Sequence, residues 1–500
     1  MQKDEEQPTS NADEPFLRQF VSALNQRWFW RTFFITVSVG ALTRLQGYHN
    51  SLMNNLSTTM QHWITNDLGY SETSVDTWIW PVLTSTVFFA MGIGSACGTI
   101  ADYLGRRLSF IVISLLMLTA GSLMFASKWL QSLVVLIVGR FVVGWSVGFG
   151  TQACTLLLVE APPTRWRAFF NSVATICFQV ADLSGQFLGS TFILGSAWGW
   201  PWAMVCLTVP CALLALPVVI WMPDSPRHIY LCKHAGIDAT KKAVAFYQGA
   251  DRIDQVIVEM DREHNADKTN VTWLKLLRNR AYRRSTALVL LISVPRGATG
   301  FFSLLVHSSS IMRTFGLTVE QATMFTIVIS AIEFVCILPA PYVIESCGRR
   351  RTILVCYTLC LIANLVIIVV DFTQLHTGAS VMVVIALTLH MAAWPIAAAA
   401  VATVQAELAP QHARAKVTSL GALFMSLLAA SSIYIHPLHT GASVMVVIAL
   451  TLHMAAWPIA AAAVATVQAE LAPQHARAKV TSLGALFMSL LAASSIYIHP

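Results

Sequence analysis

Long apolar segments dominate this chain and leave few folds open to it. A helix of about 20 residues spans the hydrocarbon core of a bilayer, so apolar runs of that length predict membrane-crossing helices. Only 11% of the residues are charged, against about 25% in an average soluble domain. We therefore predict an all-α, polytopic membrane protein with about 13 spans. The apolar runs are 29–48, 77–100, 108–126, 132–159, 168–194, 200–222, 284–306, 323–344, 352–371, 379–403, 417–435, 442–466 and 480–498.

A polar stretch, 223–283, divides these runs into six before it and seven after it. Within it, residues 236–264 alternate apolar and charged positions at helical spacing, which predicts short amphipathic helices. A disordered linker is the alternative. We predict five parts: an N-terminal tail (1–28), a six-helix bundle (29–222), the central loop (223–283), a bundle with five spans (284–437) and a further segment (438–500).

The last segment is an identical copy. Residues 438–500 repeat the 63 residues 375–437 without a substitution, whereas old transporter repeats survive only as weak similarity. Either a recent tandem duplication or an error of gene assembly explains it. We favour the error, because the chain stops at Pro500 with no twelfth span of its own and no cytoplasmic tail.

Basic residues predict the orientation of the spans. With the N-terminus in the cytoplasm, the inner segments carry 27 Lys and Arg, whereas the outer loops carry only Lys128 and Arg313. Such a bias sets topology. The first 28 residues contain no cleaved signal peptide. The outer loop 49–76 would then contain the glycosylation acceptor Asn55-Leu-Ser57.

The residues that bear chemistry form no enzyme or metal motif. The ten cysteines are scattered and make no CxxC pair, so neither a zinc site nor a disulfide framework is predicted. No nucleophile, metal or phosphate-binding constellation is present. We expect no cofactor. The net charge of +7 is explained by the inner loops and does not indicate nucleic acid.

One motif occurs at equivalent places in the two halves. Glycines permit a tight turn and close helix contact, the acid can cap a helix or pair with an arginine, and the arginines stay at the inner face. A single Gly-Arg-Arg could be a positive-inside stop, but two matched copies indicate a shared gating role. The residues are Gly98, Asp102, Gly105, Arg106 and Arg107 after the second run, and Glu345, Gly348, Arg349 and Arg350 after the eighth.

A second pattern also recurs in both halves. An acid and an arginine seven residues apart flank a proline, as Glu160 and Arg167 and again as Glu407 and Arg414. Such pairs could bridge the helix ends of the two bundles when the inner side is closed, and their rupture would let the bundles rock. Plain surface ion pairs, which contribute little, are the alternative.

These motifs resemble the sugar porter branch of the major facilitator superfamily, which includes the facilitative glucose transporters. The resemblance covers roughly residues 28–436. It implies a major facilitator fold of two six-helix bundles, here with a duplicated final helix pair. The further matches are Gly139-Arg140 to Gly144, Pro223-Asp-Ser-Pro-Arg227 and Leu45-Gln46-Gly-Tyr-His-Asn50.

The resemblance also implies a set of substrate contacts. The family holds a hexose with Gln and Asn side chains, and most of the matching positions here carry other residues. Gln46 and Asn50 of the first span are also predicted substrate contacts. Asn50 also stands where proton-linked members have an acid, which favours uniport. The positions that match the family's site are Thr175, Arg296, Thr299, Phe302, Glu333 and Trp394.

Four ionisable side chains fall inside predicted spans, where such groups are costly and usually functional. We hypothesise that Arg296 and Glu333 pair in the central cavity and contact a polar or charged solute. A structural salt bridge is the alternative. Arg44 and Asp182 could pair within the first half, where a structural role is favoured.

The sequence thus predicts a transporter of a small polar solute, most simply a hexose, that works by alternating access in the lipid bilayer of the plasma membrane. An organic-ion carrier is one alternative, which Arg296 and Glu333 favour. A non-transporting sensor on the same scaffold is the other.

Overall fold

The computed structural model describes residues 22–231, 236–266, 280–373, 378–408 and 414–435. The expectations for the N-terminal tail up to residue 21 and for the duplicate 438–500 lie outside these residues. The described part contains eleven helical spans, six before the central loop and five after it. Eight of its helices are long and apolar enough to cross a membrane. The prediction of an all-α polytopic protein is confirmed.

The first six spans form the N-half. Their polar ends coincide with the predicted loops, because charged side chains stay out of the hydrocarbon layer. They are span 1 (Arg27–Thr43 and Gln46–Asn55), span 2 (Glu72–Leu104), span 3 (Arg106–Ala126), span 4 (Leu133–Glu160), span 5 (Arg167–Leu188) and span 6 (Trp200–Trp221).

The remaining five spans form the C-half. The short helix Ala340–Cys347 follows span 8 and leads into span 9. They are span 7 (Arg280–Ala298 and Phe301–Thr314), span 8 (Val319–Ile337), span 9 (Arg349–Phe372), span 10 (Ala379–Leu408) and span 11 (Arg414–Ile435).

The prediction of a long outer loop at 49–76 is wrong over most of its length. Residues 49–67 are helical, through Gln46–Asn55, Ser57–His62 and a π-helical turn at Trp63–Asp67. Every residue of Gln46–Asn55 is buried. Its polar side chains face other helices rather than water, so a hydropathy criterion missed a polar segment that is buried inside the protein.

Spans 1 and 7, the first helices of the two halves, are both interrupted near the middle. Span 1 breaks at Arg44 and Leu45, and span 7 breaks before Gly300, whose φ of +78° lies in the left-handed region. Asn364 of span 9 donates a hydrogen bond of 3.4 Å to the carbonyl of Thr299 at this break. Interrupted helices often surround solute sites in transporters, because their freed backbone groups must find partners.

Small residues bring spans 2 and 4 into close contact. A Cβ added at Gly94, Gly144 or Gly148 would overlap the backbone of the facing span. Without a hydrophobic driving force between helices in lipid, such close backbone packing is what joins them. Substituting any of these glycines would separate two spans of the N-half.

The central loop packs against the end of span 1. It contains the helices Ile237–Gln248 and Ile253–Ala266. Thr32 donates to the carbonyl of Tyr247 (3.3 Å), and the hydroxyl of Tyr247 donates to the carbonyl of Pro223 (2.7 Å). Burial raises the pKa of Tyr247. We call this end of the molecule the central-loop face, and the other end the opposite face.

Candidate functional site

Polar side chains join the two halves near the opposite face. Asn54 of span 1 donates to the hydroxyl of Ser308 (2.9 Å) and accepts from the backbone N–H of Ser309 (3.0 Å), both on span 7. Asn54 lies 22 residues beyond Thr32, which is about 33 Å along a helix at 1.5 Å per residue. These contacts therefore lie far from the central-loop face.

Asn55 adds a second contact between the halves. Its side chain donates to the carbonyl of Gln186 on span 5 (2.9 Å) and accepts from Thr326 on span 8 (3.2 Å). It is 4% exposed. The predicted glycosylation at Asn55 is therefore wrong, because its amide is buried and used between helices.

A further contact between the halves lies deeper. Gln179 of span 5 donates to the carboxylate of Glu333 on span 8 (2.8 Å), and both residues are buried. Ser51 of span 1 donates to the carboxylate of Asp182 on span 5. Span 5 thus presents polar side chains at 179, 182 and 186 to its neighbours, one helical turn apart.

A cavity of about 220 Å³ opens where this row ends. Its walls come from span 5, from span 8 with the short helix after it, from the start of span 9 and from span 10, so both halves contribute. Thr175 and Ile337 each lie four residues, one turn, from Gln179 and Glu333 respectively. The walls comprise Asn171, Ser172, Thr175, Ile176, Ile337, Ala340, Ile344, Gly348, Arg349, Ala399 and Thr403. On the side of the interface formed by spans 5, 8 and 10, the halves are thus joined towards the opposite face and separated by a cavity towards the central-loop face, whereas spans 2 and 11 stay in contact.

Two of the predicted substrate residues meet in an aromatic cluster. Phe302 of span 7 and Trp394 of span 10 have ring centroids 5.2 Å apart, and Trp394 stacks on Phe301 at 3.7 Å. Phe88 of span 2 contacts Phe302 at 4.9 Å across the two halves. The indole N–H of Trp394 has no hydrogen-bond partner although it is buried. This cluster supplies flat apolar surface with one free donor.

Three other predicted residues are buried with polar atoms that lack partners. They are Gln46 (Nε2), Asn50 (both side-chain polar atoms) and Thr299 (Oγ1). Buried polar groups are nearly always hydrogen-bonded, so water or a solute has groups to bind here. Of the predicted contacts, only Thr175 lines the cavity itself.

The two hypothesised ion pairs within the membrane are wrong. Glu333 accepts from Gln179 and not from Arg296, whose half-buried guanidinium has an Nε without a hydrogen-bond partner. Asp182 accepts from Ser51 and not from Arg44. The pairs were inferred from alignment of single positions, which does not determine the direction in which a helix presents each side chain.

Three of the predicted gating residues of the N-half, Asp102, Arg106 and Glu160, form one ion-pair network. Arg106 makes two hydrogen bonds to the carboxylate of Glu160 (3.1 and 2.6 Å) and pairs with Asp102 at 3.0 Å. Ser225 of the central loop donates to Glu160 at 2.5 Å. The described partners of Glu160 belong to the N-half and its central loop, and the bridging of the two bundles by Glu160–Arg167 and Glu407–Arg414 stays a prediction.

Asp224 completes this network from the central loop. It accepts from the backbone N–H groups of Arg106 (2.7 Å) and Ser225 (3.1 Å). The carboxylate occupies the space where Gly105 has no side chain, and Gly105 has a φ of +86°. Arg107 donates to the carbonyl of Ile220 at 2.5 Å. A carboxylate at the first N–H groups of span 3 is favourable because helix N-termini attract anions.

Gly98 and Arg140 also stabilise the packing of spans. A Cβ at Gly98 would lie 2.7 Å from Gln152 on span 4 and 2.8 Å from Ser419 on span 11, so this glycine permits a contact between the halves. Arg140 is 1% exposed and donates to the carbonyl of Leu83 at 2.7 Å. Arg140 therefore joins span 4 to span 2.

The C-half copy of the motif lies beside the cavity. Gly348 has a φ of +81° and begins span 9, and Gly348 and Arg349 both line the cavity. Arg349 and Arg350 are exposed. The side chains of Glu345, Glu407 and Arg414 lie outside the described residues, as does that of Ala406.

Sequence reasoning missed several residues that now stand out. Gln179 lies four residues after Thr175, hence on the same helix face. Asp224 and Ser225 belong to a motif that had been recognised without a role. Asn54 and Gln186 gave no signal, because amides in a span are ordinary unless the facing helix is known.

The sugar (and other) transporter family matches residues 33–435. The chain belongs to this family. A facilitated glucose transporter, member 5 of solute carrier family 2 from Pongo abelii, is 26% identical over 326 residues, which cover 63% of this chain and 64% of that protein. Member 3 from Gallus gallus is 27% identical over 330 residues, covering 64% and 65%. The chain thus matches less than two thirds of the length of these relatives.

Solved structures show the same fold. The xylose transporter XylE from E. coli, in a partially occluded inward-open conformation, superposes with a TM-score of 0.70 at 14% identity, covering 86% of this chain and 97% of that one. XylE bound to 6-bromo-6-deoxy-D-glucose gives 0.71 at 16% identity, covering 86% and 94%. The predicted sugar porter membership and major facilitator fold are confirmed. The family is one of transporters, not enzymes.

Proposed function

We propose that this protein moves a small polar solute, a hexose or a related sugar, across a membrane by alternating access. The single observation that carries the proposal is the asymmetry between the two ends of the interface. Amide and hydroxyl side chains join the halves near the opposite face, and a cavity separates span 5 from spans 8 and 10 near the central-loop face. Rocking of the halves would reverse this arrangement.

The size and lining of the cavity suit a sugar. About 220 Å³ is below the roughly 300–1,000 Å³ typical of drug-sized ligands. Hydroxyls and an amide on span 5, with Thr403 on span 10, provide hydrogen-bonding groups at the walls. The unpartnered groups of Gln46, Asn50 and Trp394 add donors and acceptors nearer the middle. Uniport with a cytoplasmic N-terminus in the plasma membrane is the form we propose.

Uptake by the full chain in liposomes tests this function. Labelled D-glucose and D-xylose serve as probes, and L-glucose measures non-specific leakage. Saturable uptake of a D-sugar above the L-glucose level supports the proposal. Binding of a D-sugar without flux would identify a sensor instead, and a folded protein that neither binds nor moves either sugar would refute a sugar function.

Arg296 favours an organic anion as the second candidate. It is half-buried at the break in span 7, and its Nε has no hydrogen-bond partner. Uptake of D-glucose in the presence of excess lactate or citrate separates the candidates. Inhibition by the anion but not by D-xylose would favour an anion carrier.

A further inference from the structure

Two buried acids face each other across the interface between the halves. Asp182 of span 5 and Glu333 of span 8 are each 1% exposed. Glu333 accepts a hydrogen bond from Gln179, which lies one helical turn from Asp182 on span 5. Span 5 packs directly against span 8. One acid thus belongs to each of the two bodies that must move apart during alternating access.

Each acid accepts a hydrogen bond from a neutral side chain at one of its oxygens. Ser51 donates to Oδ1 of Asp182, and Gln179 donates to Oε1 of Glu333 at 2.8 Å. Ser330, on the same helix as Glu333, also interacts with Asp182. The second oxygens, Oδ2 of Asp182 and Oε2 of Glu333, are buried without a hydrogen-bond partner.

No described cation neutralises the two acids. Two buried basic side chains of the N-half are directed elsewhere: His49 contacts Thr208, and Arg140 donates to the carbonyl of Leu83. Neither acid forms an ion pair with a described residue. The other charged or titratable side chains on the helices around spans 5 and 8 are Arg27, Arg31, Arg44, Tyr48, Cys154, Glu160, Arg167, Cys177, His307, Arg313, Glu320, Cys336, Tyr342, Glu345, Cys347, Tyr357, Cys360 and His390.

Two ionised carboxylates in such a place would be costly. A buried charge without a partner costs several kcal/mol, and two like charges close together disfavour each other's ionisation. A proton on one acid removes one charge and supplies an O–H donor. We propose that Asp182 and Glu333 form a proton-binding pair, which holds a proton while the halves meet at this level and releases it when they part.

The cavity gives a path for this proton. Thr175 and Ile337, on its walls, lie one turn from Gln179 and Glu333, so water in the cavity approaches the pair from the central-loop face. Parting of the halves would hydrate both carboxyls and favour their ionised forms. The rate of conformational exchange, and with it of solute movement, then depends on pH. The pair lies on spans 5 and 8. It is therefore distinct from the position in span 1 where proton-linked family members have an acid and this chain has Asn50.

Equilibrium exchange of labelled D-glucose tests the proton-binding pair. This test rests on the proposed transport function. The pH is kept equal on both sides of the liposome membrane, so that no proton gradient contributes to exchange. Exchange by the wild type should fall as pH rises from 6 to 8.5, by up to about tenfold per pH unit for one linked proton. Glu333→Gln, which mimics the protonated acid, should remove that dependence, as should Asp182→Asn.

Glu320→Gln is the matched control, because it is the same change at an exposed position of the same helix. It should keep the wild-type pH profile. A wild-type profile that is flat, or one that Glu333→Gln and Asp182→Asn leave unchanged, would overturn the proposal.

A second measurement separates failure of the pair from failure of sugar transport. Hydrogen–deuterium exchange of peptides covering 46–55 and 301–314 reports closure near the opposite face, with no solute needed. Wild type and Glu333→Gln are compared at the same pH, so intrinsic exchange rates cancel. Raising the pH should deprotect these peptides in the wild type only. Equal protection in both folded proteins at pH 8.5 would refute the pair even if no sugar is transported.

Discussion

The two Gly-Arg-Arg junctions, residues 105–107 and 348–350, have the same backbone but different surroundings. Gly105 and Gly348 have φ values of +86° and +81°, and a helix begins at the arginine after each. A Cβ at Gly105 would overlap the carboxylate of Asp224, whereas a Cβ at Gly348 would meet nothing within 4 Å. One local motif therefore serves two different packing environments.

The arginines differ in the same way. Arg106 is 3% exposed and makes a bidentate pair with Glu160, whereas Arg349 is exposed and lines the cavity. The N-half junction fixes spans 3 and 4 to the central loop as one body. The C-half junction forms a wall of the space between the two bodies. Changes at the first should therefore affect stability, and changes at the second should affect transport.

Glu160→Gln should have the largest effect. It removes the bidentate partner of the buried Arg106 guanidinium and leaves only the partly exposed Asp102 beside it. Breaking one side of a buried ion pair costs about 3–5 kcal/mol, which is the upper bound for this change. The free energy of unfolding in detergent measures this loss. Glu320→Gln, at an exposed position, should change it by less than about 0.5 kcal/mol. A loss below about 1 kcal/mol for Glu160→Gln would contradict the view of a fixed junction.

Alanine at the two glycines tests the comparison directly. Both substitutions carry the strain of a backbone region that is almost exclusive to glycine, about 1–3 kcal/mol. Gly105→Ala must also displace the Asp224 carboxylate, and such overpacking adds about 1–3 kcal/mol. Thermal unfolding of the two variants side by side measures the difference. Equal losses would mean that the Asp224 contact contributes nothing.

Ser225→Ala should have a smaller effect on the same junction. It removes the hydroxyl that donates to Glu160 and accepts from the backbone N–H of His228. A hydrogen bond to a charged group contributes about 1.5–3 kcal/mol. Ser346→Ala, at the exposed end of the C-half junction, is the control and should cost less than about 0.5 kcal/mol. Similar losses at both serines would remove the distinction between the junctions.

The spans could be predicted because a helix that faces lipid must be apolar over its whole length. The same criterion failed for Gln46–Asn55, where polar side chains are buried against other helices. The motifs identified both Arg106 and Glu160, but not their pairing, since they are 54 residues apart and only the packing of spans 3 and 4 brings them together.

The interior of the interface was harder to predict. Asp182 and Glu333 were recognised as unusual charges, yet each was assigned to an arginine. Position along a span sets the depth of a side chain, but the rotation of the helix sets its direction, and rotation depends on all neighbouring helices at once. The spacing of Gln179 from Thr175 indicates a shared helix face, but it does not indicate that Gln179 faces Glu333.

Arg349→Gln should have the smallest effect on stability and still alter transport. An exposed arginine contributes at most about 1 kcal/mol through surface pairs, so the melting temperature should change little. Because its side chain forms part of the cavity wall, we expect a changed KM for D-sugar uptake. Arg350→Gln removes the same charge one residue away, at an exposed position that does not line the cavity. If both variants shift KM equally, the effect comes from charge at this face rather than from the wall itself, and the C-half junction loses its distinct role.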